Sequence, residues 1–212
     1  MSRDHILHKV RTALGRSADQ APPPAPPARI SIPAIGREAK IESFLDRLGA
    51  LAGKAFRAAT PGDALDYVRR IVDGRPAVAS NAPFLAACGI TSLSSVRSGL
   101  TDRDELRALC SSAAVGITSA DYCLADTGTL VMFASREEAR LISLLPPVHI
   151  AVVDGDRMLS GLDELFTIVP LPAEQSSSMV LITGPSRTAD IEQTLVRGVH
   201  GPGEIRVVLV SR

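Results

Sequence analysis

The chain has 212 residues, 45% hydrophobic and 22% charged, enough for one sizeable core in a soluble globular protein. Its 23 basic and 23 acidic side chains cancel, which disfavours nucleic acid and anionic membrane surfaces as partners. Aromatics at 3%, with no Trp, argue against stacking platforms for single-stranded nucleic acid.

Residues 4–14 place Ile6, Leu7, Val10 and Leu14 on one helical stripe, with Gly15 as a stop. A helix this short needs something to dock on. Residues 20–29 (QAPPPAPPAR) form a polyproline-type spacer, because each proline removes a donor and pushes its predecessor to extended geometry. The organisation expected is an N-terminal helical arm (1–19), this linker (20–29) and an α/β domain (30–212). Residues 30–35 read as a short edge segment.

Ile41, Phe44, Leu45, Leu48 and Leu51 mark an amphipathic helix over 37–51, followed by a strand at 54–58. Thr60-Pro61-Gly62-Asp63 reads as an N-cap and first turn, opening a helix to about Val72. A strand at 76–79 and a loop with a short helix at 80–88 follow. Residues 101–110 read as a helix capped by Thr101, and 113–117 as a strand buried on both faces. A helical turn is expected over 122–125, then strands at 129–134 and 148–153 flanking a charged helical piece. Next come a helix at 159–166, an extended piece at 168–171 and a buried strand at 179–183. A helix at 189–195, capped by Ser186 or Thr188, and a final strand at 205–210 complete the chain. Alternating strands and helices point to an α/β fold with an open, mostly parallel sheet and helices on both faces.

The candidate chemistry lies in two loops. Asp126-Thr127-Gly128-Thr129 puts an acid, two hydroxyls and a glycine at the entrance of an apolar strand. Asp126 is read either as nucleophile, general base or substrate anchor, or as a carboxylate capping its turn. Gly184, Ser186, Arg187 and Thr188 follow a strand and precede the expected helix, the arrangement of an anion pocket, though no full phosphate loop occurs. His200, among glycines and prolines, is a candidate for an exposed polar contact, whereas His149 reads as a hydrogen-bonded core residue. Arg136-Glu137-Glu138 reads as a solvated helix start. Cys88, Cys110 and Cys123 are widely spaced, with no metal-binding pattern. The chain carries no apolar signal core or membrane-spanning run and is expected to be cytoplasmic.

The segments GITSADYCLADTGTL (116–130), SLLPPVHIAVV (143–153), GPSRTADIE (184–192) and LVRGVHGPGEIRVVLV (195–210) resemble the lactate utilization protein C family, whose core is the LUD domain. ILHKVRTALGR (6–16) is similar to the family's opening helix. The resemblance implies a fold related to sugar-phosphate isomerases, coenzyme A transferases and formyltetrahydrofolate cyclo-ligase. It also implies a part in bacterial L-lactate oxidation to pyruvate beside an Fe–S partner and a Cys-rich partner. On that reading the clusters sit on a partner subunit and this chain binds no cofactor of its own. Asp126 stands where many members of the family carry glutamate, so a covalent mechanism like that of coenzyme A transferases would need compensation from the backbone. Two other readings stay open: a stand-alone enzyme on an acyl, coenzyme A or phosphorylated ligand, and a non-catalytic module whose arm (1–29) clasps a partner or a second copy.

Overall fold

The structure, a computed structural model, describes residues 2–17, 35–191, 194–198 and 200–211. The chain divides into two compact units, 1–31 and 32–212. The first contains helix α1 (Arg3–Ala13), capped by the Ser2 side chain, with Ile6, Val10 and Leu14 exposed along it. The proline-rich spacer and all but Ile35 of the 30–35 segment lie outside the described residues.

The second unit begins with α2 (Arg37–Ala50), β1 (Lys54–Ala58), α3 (Pro61–Val72), β2 (Ala77–Ala79), α4 (Pro83–Ala87) and β3 (Val96–Arg97). It continues through α5 (Arg103–Ser112), β4 (Val115–Thr118), β5 (Tyr122–Leu124), β6 (Thr129–Phe133), α6 (Leu141–Leu144) and β7 (Val148–Asp154). Then follow β8 (Met158–Leu159), α7 (Leu162–Ile168), α8 (Pro172–Gln175), β9 (Met179–Ile182), β10 (Arg187–Ile191), β11 (Thr194–Arg197) and β12 (Glu204–Val210).

Six strands form a parallel sheet in the order β1-β12-β7-β4-β2-β3. Its inner strands are apolar at nearly every position because both faces are covered. Along β7, Ile150 and Val152 join a core with Ala64, Val68 and Val72 of α3, while Ala151 and Val153 point the other way to Ile41, Phe44 and Leu48 of α2. That second core is shared with a four-stranded sheet in the order β8-β5-β6-β9, through Cys123, Leu130 and Met132. The far face of the small sheet buries Leu124 and Val131 against Leu165 of α7.

The expected cap at Thr60 forms a full capping box. Its hydroxyl accepts from Asp63 N at 3.1 Å and the Asp63 carboxylate accepts from Thr60 N at 2.9 Å. Thr60→Ala is therefore expected to cost about 1 kcal/mol, read as a lowered urea midpoint.

Elsewhere the local expectations give way. Helix α5 is capped by Asp102, not Thr101, because the Asp102 carboxylate reaches both Asp104 N and Glu105 N. The helical turn expected at 122–125 is strand β5, which exchanges hydrogen bonds with β6. The charged piece before β7 contains only the single turn of α6. The helix at 159–166 starts later and runs on to Ile168, so 168–171 is not one extended piece. The strand at 179–183 is β9 at the edge of the small sheet, with Leu181 exposed rather than buried. The helix expected at 189–195 is instead the antiparallel pair β10–β11.

Candidate functional site

In the parallel sheet, β2 leads on to β3 at one side, whereas β4 leads through the small sheet to β7 at the other. The carboxyl ends of adjacent β2 and β4 are therefore a topological switch point, where open α/β sheets leave a crevice. A cleft of about 450 Å³ lies there, within the size range of small-molecule sites. Its walls come from Ala82–Phe84 after β2, Ser119–Tyr122 after β4, Phe133, Ser135, Glu137 and Glu138 at and after the end of β6, and Asp154 and Arg157 at the end of β7.

Glu138 links these walls. Its Oε2 accepts from Ser80 Oγ at 3.0 Å and from Ser119 N at 3.3 Å, so one carboxylate oxygen ties the end of β2 to the end of β4. The approach is fixed by Ser135 Oγ, which accepts from Glu137 N and Glu138 N, and by Asn81 N donating to Glu137 O at 2.8 Å. Glu138 is only 7% exposed, and among the described residues its Oε1 has no hydrogen-bond partner. Burial pushes its carboxyl up to about 8, against the opposing hydrogen bonds from Ser80 and Ser119 and with help from the Asp121 charge. The group is thus mostly a neutral acid at pH 7. The solvated helix start expected at 136–138 is corrected here: Glu137 is exposed, but Glu138 turns inward.

Asp121 stands across the cleft. Its Oδ2 accepts from Phe133 N at 2.7 Å. Burial raises its carboxyl, while the Phe133 amide and the Arg157 guanidinium pull the other way. Arg157 itself lies 5.8 Å above the ring of Tyr122.

His149 is the core residue expected. Fully buried on β7, its Nε2 meets Thr118 Oγ1 at 2.7 Å, and Nδ1 has no partner among the described residues. Burial lowers its pKa from 6.5 to about 4. Below pH 6.5 the unfolded chain takes up a proton that the folded imidazole refuses, so stability is lost as pH falls toward 4. Urea unfolding across this window should show that loss, and His149→Gln should flatten it.

The residues around Asp126 form a separate cluster beyond the other end of β5, roughly 10 Å of strand from Asp121. Asp126 and Thr127 are exposed. Asp126 Oδ1 accepts from Thr127 Oγ1, Thr129 Oγ1 lies 2.8 Å from Thr127 Oγ1, and it lies the same distance from Thr183 Oγ1. Gly128, at φ +67°, packs so closely on α2 that a Cβ there would lie 2.6 Å from Leu48 N.

The 184–188 loop lies beside this cluster, at the carboxyl end of α2. Gly184 packs on Leu51, and Arg187 Nη2 donates to Leu51 O at 2.6 Å. Ser186 is tied through its backbone to Pro202 and Gly198, and Thr188 pairs with Val196 in the β10–β11 ladder. The helix N-terminus expected behind an anion pocket is therefore absent from this loop. The adjacent helix end is the one with partial negative charge, which an arginine caps. His200 is exposed, as its loop setting suggested.

Among the described residues no cluster of three His, Cys, Asp or Glu side chains is placed to hold a metal ion. No described helix is long and apolar enough to cross a membrane.

The LUD domain family model matches residues 41–210. The lactate utilization protein C of Bacillus subtilis is 42% identical over 103 residues, 47% of this chain and 43% of that protein, so the shared stretch spans less than half of that relative. The lactate utilization protein C of an Exiguobacterium species is 28% identical over 220 residues, 99% of this chain and 96% of that protein. A solved structure of a DUF162 family protein from Deinococcus radiodurans shares the fold with a TM-score of 0.64 at 20% identity, covering 83% of this chain and 99% of that one.

Proposed function

Because the chain belongs to the LUD domain family, we propose that it serves lactate utilization, holding a ligand in the cleft beside Glu138 while electrons pass through an Fe–S partner. The observation that carries the role is the near full-length alignment with the Exiguobacterium lactate utilization protein C. The cleft at the strand-order reversal supports the ligand-binding part, through the buried Glu138 that joins two strand ends.

A partner for the redox step is supported by the thiols. Cys88, Cys123 and Cys110 sit in three different parts of the core, and burial raises the Cys110 and Cys123 thiols away from the thiolate form that binds metals.

Deleting the gene in its host should abolish growth on L-lactate as sole carbon source, with the intact gene restoring it. Tagged protein from lactate-grown cells should bring down an Fe–S protein identifiable by mass spectrometry. Growth of the deletion strain at the parental rate on L-lactate would sink the role.

A further inference from the structure

The walls of the cleft carry Asp121, Glu137, Glu138 and Asp154 against a single cation, Arg157. Once Glu138 gives up its proton, above about pH 8, this balance repels a free carboxylate such as lactate and attracts positive charge. Acidity alone would be a solvated surface, but Glu138 is 93% buried, lines the cleft and keeps Oε1 without a partner among the described residues. When Glu138 ionises, Oε1 becomes a buried acceptor left unmade, which is costly, and a cationic donor brought by a ligand both removes that cost and favours the ionised form. Phe84, Tyr122 and Phe133 supply apolar and aromatic wall beside it. A bound metal ion fits less well, since no three metal-binding side chains converge among the described residues.

We infer that this cleft binds a small, flat organic cation, an amidinium or protonated amino-heterocycle, whose N–H groups donate to Glu138 and whose ring lies against the aromatic wall. The inference rests on the placement of the ligand site in the cleft but not on the role in lactate utilization. Arg157, stacked toward Tyr122 and facing Asp121, occupies one end of the cleft and leaves the Glu138 end to the ligand's own positive charge. Specificity follows from sign and shape together: a neutral ring lacks the charge, and a flexible ammonium lacks the flat face.

The test uses benzamidine and benzoate, which share ring and size and differ in charge, titrated calorimetrically into the full chain at pH 8.5. Benzamidine should bind and benzoate should not. Glu138→Gln should weaken benzamidine by about tenfold or more, the effect of losing a charge-assisted hydrogen bond. Glu105→Gln, on exposed α5, should leave binding unchanged. Equal binding of benzoate, benzamidine binding indifferent to Glu138→Gln, or no binding of either at millimolar concentration each overturns the inference. A lactate growth defect with no benzamidine binding would keep the metabolic role and remove this ligand class. Binding without a growth defect would do the reverse.

Discussion

Replacing Glu138 by glutamine is expected to stabilise the protein progressively as pH rises from about 4.5 to about 8, and to hold that gain above it. In the unfolded chain this carboxyl ionises near 4.5, whereas burial holds its proton in the folded protein up to about 8. Through that interval the folded state keeps a proton the unfolded state has shed, so the wild-type protein loses stability as pH rises. Glutamine has no proton to lose, and its amide oxygen still accepts from Ser80 Oγ and Ser119 N. At about 1.4 kcal/mol per pH unit, the interval sets an upper bound on the order of 4–5 kcal/mol. Each kcal/mol is worth about 2–4 °C in a domain of this size. Melting curves for both proteins across the interval measure the difference directly. Parallel curves, with the variant no more stable at pH 8 than at pH 5, would show that Glu138 is not buried as an acid.

Gly116→Ala is expected to destabilise the fold by about 3 kcal/mol. Gly116 lies mid-strand in β4, paired with Val78 on one side and His149 on the other, so the strand cannot shift to relieve a clash. The backbone of α6 rests on it: a Cβ there would overlap the Ile142 carbonyl oxygen and lie 3.0 Å from Pro146 Cγ. Because the obstruction is backbone, the turn must move as a whole, and α6 begins only three residues after Glu138. The lesion should therefore also loosen the cleft wall. Gly49→Ala in α2 is the matched control, since a Cβ there meets nothing within 4 Å, and helix propensity favours it by up to about 1 kcal/mol. Urea midpoints at constant slope distinguish the two. If both substitutions prove equally mild, α6 does not rest on β4 as described.

The site was legible only in part. Asp126-Thr127-Gly128-Thr129 stood out as polar residues entering an apolar strand, and the structure makes that feature a close junction with α2, with Gly128 against Leu48. Gly184 and Arg187 did prove to be neighbours of the same junction. Their expected setting failed because the helix end they meet is a carboxyl end. Glu138 escaped notice because Glu137 beside it has the same chemistry, and nothing local says which of the two faces inward.

What the sequence by itself determined is whatever depends on near neighbours. The spacing of Ile41, Phe44 and Leu48 makes α2 amphipathic, Thr60 and Asp63 close their capping box, and the largely apolar runs of β4 and β7 call for cover on both faces. Only the tertiary structure decided the cleft and its acid. Glu138 meets Ser80 from 58 positions away and Ser119 from 19. Its burial, its raised pKa and its unpartnered oxygen are properties of that assembly. Short-range pattern carries no information about them, because desolvation is set by whatever packs around a group, wherever in the chain it comes from.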